Sequence, residues 1–391
     1  MLLSVSRSSF SCLVLACQPI CYDPWMKRYP WLLASLTVSV AIFAASLAFR
    51  SGNDGGKRES AAHAGPAAAA APYAVFGHAA VALGGGTVLV TGGKTADGEA
   101  PTDRSFVVAP EKGAVAEVGR MSAPRAFHTA TRLPNGDVLV VGGPSADIYS
   151  PAARAFVAVG TPLQARQAHA ASPTGIGEIL VVGGSDPAFN ALATAETYNP
   201  GSATFSAAGQ MTEPISNPLA IELPTGDVLV VGETTLQVFR AKARRFDAIK
   251  LPSVRSPAAQ LMLDGRVLLI GGLNAAVVGA ESIAAVTRLI VFDPSAMTFK
   301  EVGQLQTARF QAAAARLGSN IFISGGMGDS HMDGGLLVSI EAVSTDTWES
   351  RLIGSMTEAR FHHSITESHG RLVIVGSPTR NANTTVEIIN P

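Results

Sequence analysis

The sequence predicts an all-β fold, a seven-bladed β-propeller with four-stranded antiparallel blades, preceded by an N-terminal hydrophobic targeting helix. Short apolar runs that end in Gly-Gly occur five times, as TVLVTGG, DVLVVGG, EILVVGG, RVLLIGG and NIFISGG. Two degenerate copies, DVLVVGE and RLVIVGS, bring the number of runs to seven. Successive runs lie about 47 residues apart, which is typical of four-stranded propeller blades. An uncharged stretch near the N-terminus predicts the helix.

The uncharged stretch covers residues 31–49, and basic residues flank it on both sides. As a helix it would be about 28 Å long, close to the hydrocarbon thickness of a bilayer. We therefore assign residues 26–49 to a signal peptide or a signal anchor. Cleavage after Ser46-Leu47-Ala48 and retention of the segment both stay open. Residues 1–25 are interpreted as a mis-assigned extension, because Met26 followed by Lys27 and Arg28 is a natural start for such a segment.

Residues 50–73 are rich in Ala, Gly, Pro and Ser and show no apolar periodicity, so they predict a linker. The propeller is expected over residues 74–391. Because the seventh repeat stops after its third strand, the missing fourth strand should come from about residues 62–74. That stretch is mostly alanine, a poor strand former, so an unclosed ring is the alternative.

Each repeat predicts four strands. The first precedes a turn glycine, the second ends at Gly-Gly, the third carries a Tyr or Phe before a proline, and the fourth carries an aromatic residue such as Phe156 or Phe205. Strands of four to six apolar residues give a twisted sheet with two apolar faces. Radial stacking buries both faces against the neighbouring blades, and positive-φ glycines allow the close approach.

Composition excludes several classes of function. The chain has 391 residues, of which 47% are hydrophobic and 15% charged, and its formal net charge is −1. A nucleic-acid partner is not expected, because that function needs a clustered basic surface. All three cysteines, Cys12, Cys17 and Cys21, precede the repeats. The propeller therefore has no disulfide, thiolate metal site or cysteine nucleophile.

The Gly-Gly pairs with spaced Tyr and Phe or Trp resemble the kelch repeat. An Arg-x-x-His-x-Ala opening is similar to that of exported bacterial kelch proteins of the galactose-oxidase-like superfamily. The resemblance implies that the segments leading into the innermost strands and the loops after the second strands share one face, where ligands bind. We predict four long loops on this face, at about 94–105, 185–194, 273–287 and 327–339.

The segments that lead into the innermost strands carry a column of arginines. Two interpretations are open: a guanidinium funnel that binds carboxylates, phosphates or acidic side chains, or a repeated clip in which each arginine bonds carbonyls of the next blade. The candidate binding residues are Arg125, Arg166, Arg255, Arg309 and Arg360, with Val75 and Ile215 in the two remaining blades.

A histidine column follows three residues later. It comprises His78, His128, His169 and His363. Equivalent positions around a ring lie too far apart to share one ion, so packing is the favoured role. The loop 328–335 resembles the start of a calcium site, but His331 takes a ligand position and the closing acid is misplaced, so no metal is predicted.

The best-known enzyme of the superfamily is a copper-radical oxidase, which needs a tyrosine cross-linked to a cysteine. The absence of cysteine after Cys21 excludes that activity, and Tyr149 and Tyr198 occupy a repeated packing position. No nucleophile elbow, Walker loop, dinucleotide fingerprint or zinc motif occurs, so no catalytic residue and no cofactor are predicted.

These observations favour a monomeric extracytoplasmic binding module in the cell envelope or secreted, which recognises a protein or a glycan through its long loops. Residues 31–49 would attach it to a membrane if they are not cleaved. The alternative is an enzyme that acts on an acidic carbohydrate, because some similar kelch propellers isomerise sialic acids. That enzyme would use the arginine funnel to hold the carboxylate of the sugar.

Overall fold

A computed structural model of the chain describes residues 67–73, 76–94, 100–274, 284–328, 335–376 and 385–391. The fold in these ranges is the predicted all-β, seven-bladed propeller of four-stranded antiparallel blades. Within the described residues, no helix is long and apolar enough to cross a membrane. The predicted targeting segment, the three cysteines and most of the predicted linker lie outside them.

The strands are numbered in chain order. Strand β1 (Ala67–Ala70) precedes the first blade. Blades 1 and 2 contain β2 (Ala79–Ala82), β3 (Val88–Thr91), β4 (Ser105–Ala109), β5 (Ala114–Glu117), β6 (Thr129–Arg132), β7 (Val138–Gly142), β8 (Ser145–Ser150) and β9 (Ala155–Val159). Blades 3 and 4 contain β10 (Ala170–Pro173), β11 (Ile179–Val182), β12 (Thr194–Asn199), β13 (Thr204–Gln210), β14 (Leu219–Glu222), β15 (Val228–Val231), β16 (Thr235–Arg240) and β17 (Arg245–Lys250).

Blade 5 has an additional two-stranded ladder, formed by β18 (Val254–Arg255) and β21 (Leu273–Asn274). Its four main strands are β19 (Ala258–Leu261), β20 (Val267–Ile270), β22 (Arg288–Asp293) and β23 (Thr298–Gln304). Blades 6 and 7 contain β24 (Ala313–Leu317), β25 (Asn320–Ser324), β26 (Ser339–Ser344), β27 (Ser350–Ser355), β28 (Ser364–Ser368), β29 (Arg371–Val375) and β30 (Thr385–Ile389).

The core lies between the blades, and the second strand of each blade is its centre. In β3, Val88 and Val90 belong to one buried cluster with blade 7, whereas Leu89 belongs to another with blade 2. Successive side chains of a strand point to opposite faces of the sheet. An unbroken apolar run therefore fills the spaces on both sides of its blade. This explains why apolar and polar residues do not alternate in these runs.

Strand β1 completes blade 7. It pairs antiparallel with β30, and the pairing joins Ala67 to Ile388 and Ala70 to Thr385. The ring is thus closed by a strand from the alanine-rich segment. Alanine suffices because β1 is the outer strand of its blade, where backbone hydrogen bonds carry the pairing. Tyr73 follows β1, packs edge-on against Phe106 and donates a hydrogen bond to the carbonyl of Arg104.

Candidate functional site

The face of the ring at which the inner strands begin and the second strands end is called the mouth face. The inner strands are β2, β6, β10, β14, β19, β24 and β28, and each contacts the inner strands of the adjacent blades. All five predicted binding arginines lie on the segments that enter these strands. The structure places them at equivalent positions but does not give them equivalent surroundings.

Four of the five arginines are enclosed by their own blades. The side chains of Arg309 and Arg360 are 0% exposed, and those of Arg125 and Arg166 are hardly more exposed. Each guanidinium forms an ion pair with a buried carboxylate on the third strand of the same blade. The pairs are Arg125 with Asp147, Arg166 with Glu196, Arg309 with Glu341 and Arg360 with Glu387.

The guanidiniums also satisfy backbone carbonyls. Arg166 Nη1 donates to Gly183 O at 2.8 Å, and Arg309 Nη1 donates to Gly325 O at 2.9 Å. Burial lowers the pKa of Arg166, Arg309 and Arg360, and the paired carboxylate opposes that shift. These four side chains therefore act as structural clips. Their partners lie in their own blade, not in the next blade as the clip interpretation supposed.

The backbone of the same residues makes the connection between blades. In five of the junctions the second glycine of a Gly-Gly pair donates its N–H to the carbonyl at the arginine position of the following blade. The bonds join Gly93 to Arg125, Gly143 to Arg166, Gly184 to Ile215, Gly272 to Arg309 and Gly326 to Arg360, at 2.8–2.9 Å. The residue at the arginine position thus accepts a hydrogen bond from the preceding blade through its backbone carbonyl. The four buried arginines also bind their own blade through the guanidinium.

Arg255 in blade 5 differs from the other four. Its third-strand counterpart is Ile290, so no carboxylate faces the guanidinium from its own blade. Arg255 pairs instead with Glu233, which replaces the second glycine of the pair in blade 4. The side chains of Arg255 and Glu233 are 34% and 55% exposed. Arg255 is therefore the one of the five predicted arginines whose side chain is accessible to solvent.

The histidine column links neighbouring blades through hydrogen bonds. The Nε2 atom of each ring bonds a Ser or Thr hydroxyl of the preceding blade. The pairs are His78 with Ser364, His128 with Thr91, His169 with Thr129 and His363 with Ser324, at 2.7–2.9 Å. Among the described residues, no group of three or more His, Cys, Asp or Glu side chains could hold a metal ion. The hydrogen bonds show that the four histidines join neighbouring blades.

Burial of these rings predicts a pH dependence of stability. Burial, with a nearby arginine, lowers the pKa of His128 and His169 to about 3, from an ordinary value of 6.5. Between about pH 3 and pH 6.5 the unfolded state binds more protons than the folded state, so stability increases as pH rises through this window. We expect His128→Gln, measured by urea unfolding, to reduce the stability difference between pH 5 and pH 7 by about 1–2 kcal/mol.

The control for this experiment is His369→Gln, because the His369 side chain is 57% exposed on a turn. This control should leave the difference between pH 5 and pH 7 within about 0.5 kcal/mol of the unsubstituted protein. If His128→Gln preserves the whole difference, the buried imidazole does not cause it.

An aromatic cluster lies on the mouth face where blades 7, 1 and 2 meet. It consists of Phe76, Phe127, Phe361 and His362, all partly exposed. The ring centroids of Phe76 and Phe127 are 5.6 Å apart in an edge-to-face arrangement, and those of Phe361 and His362 are 5.0 Å apart. Burial lowers the pKa of His362 to about 4, so this ring is neutral at pH 7. The ammonium group of Lys94 lies 5.8 Å from the centre of the Phe127 ring.

The backbone below this aromatic cluster is strained in a repeated way. Phe127 and His362 have φ values of 54° and 50°, and Ala168 and Gln311 adopt the same left-handed conformation at the equivalent positions. Phe127 N donates to Gly77 O at 2.6 Å, and Ala168 N donates to Phe127 O at 2.7 Å. Left-handed non-glycine residues cost about 1–3 kcal/mol each and concentrate at binding sites. The backbone hydrogen bonds of Phe127 hold this conformation and so help to position the cluster on the mouth face.

Much of the predicted loop surface lies outside the described residues. This applies to 95–99, 275–283 and 329–334, so the acidic part of the calcium-like loop is not described either. The loop 185–194 is described in full. Asp186 organises its turn by accepting hydrogen bonds from the backbone N–H groups of Ala188 and Asn190.

Sequence reasoning missed the carboxylates that hold the arginines. Asp147, Glu196, Glu341 and Glu387 occupy one register of the third strand, each opposite the third residue of the second-strand run. They occur in the four blades whose arginines are buried, whereas Phe106, Gln237 and Ile290 occupy that register in the other blades. Aligning the third strands by repeat would have revealed the pairing.

The tyrosines do not fit a copper-radical site. The rings of Tyr149 and Tyr198 are buried in the blades and pack against Phe156 and Phe205, with centroids 4.8 and 4.9 Å apart. Their third-strand positions give them a packing role. With no cysteine after Cys21 to cross-link a tyrosine, the donor set for that cofactor is missing from the propeller.

Comparisons with known proteins support the fold. No protein-family model matches the chain, and no curated protein matches its sequence significantly. A solved fungal alcohol oxidase of the AA5 family, in complex with copper, is similar with a TM-score of 0.65 and 14% identity, over 82% of this chain and 75% of the oxidase. The structure of YjhT is similar with a TM-score of 0.54 and 12% identity, over 73% of this chain and 99% of YjhT. At these identities the likeness shows the fold alone, and it agrees with the seven-bladed β-propeller that the strand order gives.

Proposed function

We propose that this chain is an extracytoplasmic binding propeller that recognises a protein or a glycan through its mouth face. The observation that carries the proposal is the aromatic cluster of Phe76, Phe127, Phe361 and His362 on the mouth face, in which Phe127 and His362 have left-handed backbone. Partly exposed aromatic rings supply contact area for little conformational entropy, and they stack on sugars and apolar side chains alike.

The surroundings of the cluster extend this binding surface. Phe361 also packs against a second group of apolar side chains. In this group Phe310 and Met327 are buried, and Leu273 and Leu336 are partly buried. Leu273 pairs with Arg255 through the backbone, so the accessible guanidinium lies beside apolar side chains. An apolar patch with a polar rim is typical of a recognition site. Arg255 is the arginine that we assign to ligand contact.

The acidic-sugar enzyme receives less support. That enzyme would need several accessible guanidiniums around a funnel. Four of the five predicted arginines are instead paired with carboxylates inside their own blades. One accessible arginine, already paired with Glu233, can contact an anion without forming a funnel. Secretion or membrane attachment through residues 31–49, a monomeric state and the absence of a nucleic-acid partner remain part of the proposal.

The test compares the full chain with Phe127→Ala and Phe361→Ala on a glycan array and in cross-linking to the source cell envelope. Val157→Ala is the control, because Val157 is 64% exposed on an outer strand away from the mouth face. We expect the aromatic variants to weaken capture of glycans or proteins at least about tenfold while the control retains it. Unchanged capture by both folded aromatic variants would contradict the proposal; thermal melting verifies that they fold.

A further inference from the structure

A shallow cavity of about 410 Å³, widely open to solvent, lies on the face opposite the mouth face, where the inner strands end. Three neighbouring blades line it. The lining residues are Gly175 from blade 3, Glu222, Leu223, Pro224, Thr225 and Gly226 from blade 4, and Leu261 from blade 5. Its volume lies within the range of small-molecule sites, about 300–1,000 Å³.

The cavity is formed by turns that lock against each other. Gly175 N donates to Gly226 O at 2.9 Å, which joins the turns of blades 3 and 4. A Cβ on Gly175 would lie 2.5 Å from Gly226 Cα, and a Cβ on Gly265 would lie 2.6 Å from Pro224 Cγ. Such close contacts leave the three turns little freedom. The cavity is therefore preformed, which spares a ligand the cost of ordering it.

Glu222 is the charged residue of the lining. The residues at the same register in the adjacent blades explain why its carboxylate has no partner. At the same inner-strand register the adjacent blades carry Pro173 and Leu261, and neither can donate a hydrogen bond from its side chain. Among the described residues, Glu222 forms no ion pair and its carboxylate accepts no hydrogen bond. Burial raises its pKa, as expected for a carboxylate that has lost water without gaining a partner.

Blade 7 offers the contrast. Glu367 occupies the equivalent register there, and the preceding blade carries Arg316 at that position. The Glu367 carboxylate accepts a hydrogen bond from Gly370 N at 2.9 Å and does not line the cavity. The two glutamates thus share a strand position, but of the two Glu222 is the one whose unused carboxylate faces a cavity, which polar and apolar groups line together.

We propose that this cavity binds a small organic ammonium ligand. The ammonium group would pair with the Glu222 carboxylate, and the apolar part would contact Leu223, Pro224 and Leu261. Ile176 and Leu263, on the turns that flank the cavity, are 40% and 67% exposed and extend the apolar surface at its rim. A charge-assisted hydrogen bond in a partly desolvated site favours the charged ligand over its neutral analogue. The site lies on the opposite face from the proposed glycan or protein site and is independent of it.

The experiment is isothermal titration of the full chain with n-butylammonium, and with 1-butanol as the neutral analogue. We expect one n-butylammonium site per chain, with affinity at least about tenfold lower in Glu222→Gln and unchanged in Glu367→Gln. 1-Butanol should bind more weakly than n-butylammonium and should bind equally to both variants.

Two results would overturn the proposal. One is n-butylammonium affinity in Glu222→Gln equal to that of the unsubstituted chain, and the other is an equal loss in both glutamine variants, which would indicate general attraction to surface carboxylates. Either result leaves the mouth-face proposal untouched, because the aromatic variants test that proposal separately.

Discussion

Replacing Arg309 by Met is expected to lower the free energy of unfolding by about 3–5 kcal/mol, because the change leaves the Glu341 carboxylate buried without its countercharge. Both side chains are 0% exposed, and the Arg309 Nη2 to Glu341 Oε1 distance is 2.5 Å. The guanidinium also donates to Gly325 O and to Ser339 Oγ, and these acceptors lose their donor. Urea unfolding of the variant and the unsubstituted chain measures the difference.

The chain supplies a matched control in the same column. Arg255→Met removes an exposed pair with Glu233, and exposed pairs contribute about 0–1 kcal/mol. The double variant Arg309→Met, Glu341→Leu should recover part of the loss, since it removes the orphaned charge. Recovery stays partial because Gln306 N and Thr307 N then lose the acceptor that Glu341 gives them. Equal losses for Arg309→Met and Arg255→Met would show that the buried clip has no special role.

Gly271→Ala is expected to lower the free energy of unfolding by about 3 kcal/mol or more. A Cβ at this position would lie 2.3 Å from Arg309 O, and Gly271 has a φ of +59°. The left-handed conformation alone costs an alanine about 1–2 kcal/mol. Relief of the clash must also displace the backbone of blade 6 and disturb the bond from Gly272 N to Arg309 O. Urea unfolding again measures the effect.

Gly113→Ala separates the two causes. Gly113 has a φ of +58°, and a Cβ there would meet no atom within 4 Å. It carries the conformational cost without the clash, so it should lose about 1–2 kcal/mol. If the two alanine variants lose equal stability, the contact between blades contributes nothing and the glycine is needed only for its backbone angle.

The repeat predicted the fold because its signals are local and occur seven times. An apolar run, a turn glycine and a glycine pair depend on strand propensity and backbone angles. The runs Val88–Thr91 and Val267–Ile270 are both strands, and a glycine pair follows each of them. The pairing of β1 with β30 was harder to predict, because four alanines carry no strand signal of their own. The pairing with β30, which is a contact between distant parts of the chain, stabilises β1.

The roles of the arginines in the column could not be predicted from the local sequence. Arg125 and Arg255 look alike in sequence, and both lie on segments that enter an inner strand. Only the cross-strand register reveals that Asp147 faces Arg125, whereas Ile290 occupies the position at which Arg255 would need a carboxylate. A residue two strands away in the sheet therefore decides whether a guanidinium is a buried clip or a surface group.

The sequence by itself determined the number of blades, the four strands in each, the glycine turns and the absence of a cysteine-dependent copper site in the propeller. Tertiary structure alone decided which arginine is accessible, that the histidines bond hydroxyls of neighbouring blades, and that Glu222 faces a cavity without a partner. Strand and turn preferences act over a few residues and can be read along the chain. Charge pairing and burial depend on side chains that folding brings together from distant strands, so they emerge only when the ring is assembled.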